Sequence, residues 1–417
     1  MKVTNNQKIE THILISRPFS NGNRDDAGQP KSQRFGGFER DRISAQCFKR
    51  GVFRNQRFLE VSGMDEPSIR SVGFRIAGEM GRRLVAAGHD PEASERISNA
   101  CILGLFGSEK ETKPSATDED TRGKQGKKMD PDDKPGNTIH YIGRDEIDGM
   151  FHIIHDNWET FDGEIVSRKT PDPIKRNSDH PLVSELLRVS VDGTICPDII
   201  AGGRMDATAH GRNIDSAVLV AHGVGVNRCE IEHDYFSAVD DLNIDSSGAA
   251  HVNFAEFSCP IFYQYYVIDI GQLMINAMLK PGGDRADRMN LARRTTMAWL
   301  QSSLEMTPKG RSTVTAPFTA PSFVMMTVRD SGMPFSLANA FLKPVSPVDG
   351  ENMAEMATNR LLRHHERMTK AYAVRNQGLT FCGVLAPEFD IPDEFGGTQF
   401  ETDGELVEAV ISMIEWE

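Results

Sequence analysis

The chain has little cysteine, no long apolar run and no internal repeat. Its six cysteines (Cys47, Cys101, Cys196, Cys229, Cys259, Cys382) lie far apart among 417 residues, with no Cys-x-x-Cys pair. That spacing argues against a zinc ribbon or a disulfide framework and suits a reducing compartment. No stretch of eighteen apolar residues occurs, so no membrane-spanning helix is expected. The N-terminus lacks the basic, apolar and small-residue layout of a secretory signal. A soluble, cytoplasmic protein without a cofactor is the expectation. Pro281-Gly282-Gly283 lacks the Lys-Ser/Thr ending of a P-loop and reads as a turn before the helix cap Asp284. His152 and His155 stand three apart on a predicted helix, but no Glu follows as in a metalloprotease motif. They read as a surface or core pair, with a shared metal as the alternative.

What is present is a globular composition, 39% apolar and 26% charged, with a net charge of -13. The segment 13–54 runs against that balance. It carries nine basic residues (Arg17, Arg24, Lys31, Arg34, Arg40, Arg42, Lys49, Arg50, Arg54) and four acidic ones, which leaves about -18 on the rest. A compact basic segment on an acidic body points to a track for phosphates.

Residues 9–16 alternate, with Ile9, Thr11, Ile13 and Ile15 on one face, predicting a strand with a single buried side. A long polar loop follows. Ser44 then caps a predicted helix whose buried stripe is Ala45, Phe48 and Val52 and whose outer face is Gln46, Lys49, Arg50 and Arg54. Gly36-Gly37 ahead of it, and the helix N-terminus, would offer backbone amides to an anion. Ile69, Val72, Ile76, Met80 and Leu84 keep helical spacing up to Gly88, and Asp90-Pro91 opens a second helix. Between 108 and 138 only Ala116 and Met129 are apolar, which predicts a disordered surface loop. Helical signals resume at 145–158 and 182–187, a strand at 262–270, a helix after Pro281, and mixed strands to the end. This order predicts an α+β domain interrupted by a helical insertion. In the 262–270 strand, Tyr263 and Tyr265 face one way and Phe262 and Tyr266 the other, so at least one set is core and the other could stack bases. His364-His365, in the charged run 360–370, reads as solvated surface.

One ordered set of residues carries a resemblance. It comprises Asn23-Arg24-Asp25-Asp26, Lys31, Phe35-Gly36-Gly37, Arg42-Ile43-Ser44-Ala45-Gln46, Lys49-Arg50, Gly203-Arg204-Met205, YFSAVDDL at 235–242, GAAHV at 248–252, Phe257-Ser258 and PFSLANAF at 334–341. The set resembles the CasC family, the backbone subunit of the type I-E CRISPR surveillance complex Cascade, within the RAMP superfamily. The resemblance implies a right-hand shape. An RRM-like (ferredoxin-like) palm would comprise 1–60, 190–228 and 261–417, a helical fingers insertion 61–189, and a β-hairpin thumb 229–260. It further implies a non-catalytic subunit that lines up head to tail with copies of itself along CRISPR guide RNA and presents the guide to target DNA. The other Cascade subunits would be partners: foot or cap, large and small subunits, and the guide-processing endoribonuclease.

The residues carried over as RNA-binding are Arg24, Lys31, Gly36, Gly37, Arg42, Ser44, Gln46, Lys49, Arg50, Arg204, Met205, Val252, Lys309 and Arg311. Arg24 could instead be held by the carboxylates beside it. Met205 and Val252 would cover a guide nucleotide pushed out of the stack, from a palm edge and a thumb tip respectively. Val252 is β-branched where the family pattern has a leucine-like residue. The alternative function is a metal-dependent endoribonuclease using Asp25/Asp26 or Asp240/Asp241. Adjacent residues on a strand point to opposite faces, so either pair gives one site only one ligand.

Overall fold

The computed structural model describes residues 5–106, 139–167, 173–175, 178–191, 196–205, 213–239, 249–279, 282–374, 376–392 and 394–416. The 108–138 segment and Asp240-Asp241 lie outside the described residues. The fold is mixed α+β and divides into two compact units.

The first unit comprises Met1–Asp65, Ala217–Ile275 and Met289–Glu417. Its frame is a sheet with the strand Lys8–Ser16 in the middle, antiparallel to Ile261–Asp269 on one side and to Phe323–Arg329 on the other. Beyond Ile261–Asp269 lie Val218–Val220 and Gly223–Gly225, then the hairpin Ser32–Phe35/Phe38–Ile43. Beyond Phe323–Arg329 lie Leu379–Leu385 and Thr398–Gln399.

The opening strand is buried on both faces, against the expectation of one. The reason is that its alternate polar residues are themselves core. Glu10 accepts from Arg329 Nε (3.0 Å), the Tyr265 hydroxyl (3.1 Å) and the Phe335 amide (2.6 Å), and His12 Nδ1 lies 2.8 Å from the Tyr263 hydroxyl. Burial raises the Glu10 pKa, and Arg329 opposes that rise. An alternating pattern cannot separate a solvated face from a polar face whose every group is partnered.

The two faces are covered by different helices. Ala45–Phe53 and Arg285–Glu305 cover one, where Phe48, Tyr266 and Trp299 meet. On the other, Tyr263 and Tyr265 join Phe341 and Leu361, the latter from the helix Met353–Ala371. Both tyrosine sets are therefore core, and neither is free to stack bases. His365 is not solvated surface either: it is half-buried, with its ring 6.4 Å from that of Phe395, and burial lowers its pKa. The long hairpin Glu232–Val239/Ala249–Phe257 forms a separate two-stranded sheet with Tyr235, Phe236 and Phe254 exposed.

The second unit comprises Glu66–Ser216 and Asn276–Arg288. The described residues among 190–216, which the resemblance places with the palm, fall within the span of this unit. The helices Gly73–Ala86, Pro91–Phe106, Arg144–Asp156 and Pro181–Val191 enclose a core that includes Met80, Leu84, Ile97, Phe106, Met150 and Leu186. Ile69–Val72, expected as the start of a helix, is a strand paired with Ile139–Ile142. His155 does not pair with His152; its Nδ1 lies 2.7 Å from His89 Nε2.

Candidate nucleic-acid interface

The Ala45–Phe53 helix forms where its sequence predicts. Ser44 Oγ accepts from the Cys47 amide (3.2 Å), a cap worth about 1 kcal/mol. Phe48, Val52 and Phe53 are buried, and the Phe53 ring meets Trp299 edge-on at 5.1 Å. Burial of each side chain contributes roughly 1.5–3 kcal/mol and fixes the helix to the sheet. Gln46, Arg50 and Arg54 are exposed, and Lys49 is half-buried. The helix N-terminus is not the anion site expected. The Ser44 amide donates to Asn23 Oδ1 (2.8 Å), the Ala45 amide to His222 Nδ1 (3.1 Å) and the Cys47 amide to Ser44. Cations, and not free amides, are what the helix presents.

Beside it lies a cleft lined by Asn21, Asn23, Lys31, Arg42 and Pro308, among others, with a cavity of about 20 Å³, enough for about one water. Arg17 builds its far wall. The buried guanidinium donates to Met306 O (2.7 Å), Pro317 O (2.9 Å) and Thr319 Oγ1 (3.1 Å), clamping both ends of the 306–319 loop. Burial pulls its pKa down to about 10. That loop carries Lys309-Gly310-Arg311. The Gly310 amide donates to Gly22 O (3.2 Å), and a Cβ at Gly310 would lie 2.5 Å from the same oxygen. Glycine is what lets the loop seat against residues 21–23. Asn21 Nδ2 donates to Gly28 O and Glu256 O, each at 2.9 Å, and the Lys31 amide donates to Asn23 O (2.8 Å). Lys31 and Arg42 thus line the cleft, and the loop that carries Lys309 and Arg311, up to 280 positions away in the sequence, is seated against residues 21–23 at its edge.

The cleft also holds buried polar atoms without partners. Among the described residues, Arg17 Nε, Arg42 Nε and Asn21 Oδ1 at the cleft, and Arg311 Nε on the neighbouring loop, have no hydrogen-bond partner. Buried donors are nearly always paired, so the unanswered guanidinium N–H groups of Arg17 and Arg42 leave the cleft with hydrogen-bonding capacity for a ligand. Burial raises the Asp41 pKa, and the Ser258 hydroxyl, donating at 2.6 Å, opposes that rise. Phe19, which the sequence reading passed over, stacks on Phe257 at 4.4 Å while remaining 37% exposed, and the Arg311 guanidinium lies 5.9 Å from the same Phe257 ring.

The family described as CT1975-like protein matches residues 9–400. The chain belongs to that family. Two solved chains share its fold. One, from a "CRISPR RNA-guided surveillance complex, pre-nicking", is 25% identical, with a TM-score of 0.77 over 97% of this chain and 99% of the other. A second, from a "CRISPR RNA-guided surveillance complex", is 20% identical, with a TM-score of 0.68 over 98% and 100%. No curated protein matches.

Other predicted site residues lie apart from the cleft. Gly36-Gly37 is the two-residue turn of the Ser32–Phe35/Phe38–Ile43 hairpin, with φ of 62° and 85°, and does not adjoin the helix N-terminus. A Cβ at Gly36 would lie 1.8 Å from Leu342 O, whereas Gly37 faces open space. G37A should therefore lose only about 1–2 kcal/mol, from the left-handed backbone. G36A adds an unavoidable clash and should lose clearly more. Urea melts of the two variants check this, and equal losses would contradict it.

Arg40 is no part of a phosphate track: it is fully buried and donates to the carbonyls of Gly225 (2.8 Å), Val226 (2.8 Å) and Phe341 (2.8 Å). Arg204, expected on RNA, is also buried. In the second unit its Nη1 lies 2.6 Å from Glu146 Oε1, with both side chains fully enclosed. Met205 follows at 87% exposure, after Gly203 with φ of 73° ends the preceding helix. Val252 pairs with Ser237 in the long hairpin of the first unit. Arg24 is exposed; the adjacent Asp25 does not hold it, because Asp25 Oδ1 accepts from the Ala27 and Gln29 amides, each at 2.9 Å.

Proposed function

We propose that the chain is a backbone subunit of a Cascade-type CRISPR surveillance complex, of the CasC kind found in type I-E systems. In this reading it lines up head to tail along guide RNA and holds the guide for pairing with target DNA. The observation that carries the reading is the cleft: Lys31, Arg42 and Arg17 line it, with unpartnered Nε donors on the two arginines, next to the loop of Lys309 and Arg311 and the helix that carries Lys49 and Arg50. A phosphate backbone answers those donors without regard to base identity, leaving the bases free for pairing.

The order of strands supports an RRM-like palm. Phe323–Arg329, Lys8–Ser16, Ile261–Asp269 and Val218–Gly225 stand fourth, first, third and second in the chain among these four, all antiparallel. A helix follows the first strand and another precedes the fourth. The face that would otherwise be open is filled by the Met353–Ala371 helix, so phosphates are held at the loops and the Ala45–Phe53 helix. The hairpin at 232–257 serves as the thumb. Met205 of one copy and Val252 of its neighbour then bracket a displaced guide nucleotide, and a head-to-tail contact of this kind repeats into a filament.

The salt dependence of RNA binding tests the reading. Affinity should be insensitive to guide sequence and fall with salt at a slope near -0.7 per phosphate held on a single strand. A slope near zero would contradict it. The ribonuclease alternative is tested by incubating the assembly with Mg²⁺ and labelled complementary RNA. Asp25 already serves its own turn, and no regularly spaced cuts are expected. A single-mismatch scan of the target should show regularly spaced tolerant positions, and a flat profile would remove the Met205/Val252 assignment.

A further inference from the structure

On the sheet face opposite the Ala45–Phe53 helix, the Met353–Ala371 helix buries Ala354, Ala357, Leu361 and Leu362. Its outer side overlooks an open groove of about 800 Å³. Arg360 is half-buried there and donates to Lys343 O (2.8 Å) and Pro344 O (3.2 Å), which ties the helix to the 343–344 segment. Arg363 and Arg367 are exposed on the same side, and among the described residues neither has a carboxylate within ion-pair distance. Glu366 is engaged by Lys370 at 2.7 Å. The two carboxylates that line the groove, Glu351 and Glu355, stand toward the helix N-terminus. On a chain of net charge -13, uncompensated arginines at this spacing are a departure that calls for an anionic partner.

We propose that this groove is a second polyanion site, taking the phosphodiester backbone of a DNA strand. Arg363 and Arg367 are one helical turn apart, about 6 Å along the axis, so they stand side by side where phosphates of one strand can reach both. Guanidinium forks suit phosphate, and the amides of Asn352 and Asn359 add neutral donors. A protein partner fits less well: Ala340 and Met356 are the groove's only large or small apolar lining, whereas protein interfaces are anchored on buried apolar or aromatic clusters. The guide is not the occupant, because Lys49 and Arg50 sit on the helix that covers the other face of the sheet. In a head-to-tail array, which rests on the proposed function, one such groove per copy would repeat along the filament.

The test uses the assembly purified with its guide and a fluorescein-labelled 40-bp duplex without complementarity to that guide, titrated at several salt concentrations. R363Q/R367Q should weaken duplex binding at least tenfold and make the salt slope shallower by about 1.8, the value for two phosphates at 0.9 each. R363K/R367K should restore most of both, and the guide content per subunit should not change. Three results would overturn the proposal: no duplex binding by the parent assembly, an unchanged affinity and slope in R363Q/R367Q, or loss of assembly in that variant with its RNA. The last would make the groove a contact between subunits. Guide content is read separately, so failure of this site is distinguishable from failure of the guide-binding reading.

Discussion

Charge reversal at K49E/R50E is expected to yield a folded chain that purifies without guide RNA. The buried stripe Phe48, Val52 and Phe53 and the Ser44 cap are untouched by the change, so far-ultraviolet circular dichroism and the melting temperature should stay close to those of the parent. Each copy loses two cations and gains two anions beside the cleft. At the single-strand slope the loss should be at least tenfold per copy at moderate salt, and a filament multiplies it by the number of copies. Absorbance at 260 nm relative to 280 nm reads the outcome. A normal RNA yield with an unchanged salt slope would show that the track is misplaced.

The second large effect concerns stability. Arg204 and Glu146 form an ion pair with no solvent exposure, and Glu146 Oε2 also accepts from the Gly143 amide (2.8 Å), closing the N-terminus of the Arg144–Asp156 helix. Removing one partner strands a buried charge, so R204M should cost about 3–5 kcal/mol and lower the melting point of the second unit by on the order of 10 °C. The pair itself is not required for stability in the same degree: R204M/E146L should recover much of the loss, because apolar residues of similar volume often replace a buried ion pair at little cost. RNA content should follow folding in both. A variant of unchanged stability that has lost its RNA would return Arg204 to the interface.

What could be read from the sequence follows from how local the deciding physics is. Ser44 as a cap, Phe48 and Val52 as a buried stripe, Asp90-Pro91 and Asp284 as helix starts and the strand at 262–270 are local signals, and each stands in the fold. The double burial of the opening strand is not local. It depends on Arg329 and Tyr265, more than 250 positions away, meeting Glu10. Arg17 and Arg40 read as part of the basic segment, and Arg204 as an RNA contact through the resemblance, because a sequence shows charge and not its enclosure; each is committed to carbonyls or to a carboxylate inside the protein. Gly36-Gly37 between Phe35 and Phe38 carries a hairpin-turn signal that the nearby capped helix overshadowed. For the cleft, Lys31 and Arg42 were legible, and Lys309-Gly310-Arg311 was found through the family pattern. The clamp formed by Arg17 and the ties from Asn21 and Asn23 had no signal of spacing, since their partners are backbone carbonyls and amides of other loops.

The central claim, that this cleft and its neighbouring helix hold the guide backbone, is tested most directly by photocrosslinking. The assembly would be purified with guide RNA containing 4-thiouridine, irradiated and digested, and its crosslinked peptides identified by mass spectrometry. The account predicts crosslinks concentrated in peptides spanning residues 17–54 and 306–316. Crosslinks confined to the Met353–Ala371 helix and to the second unit, with none in those two segments, would contradict it.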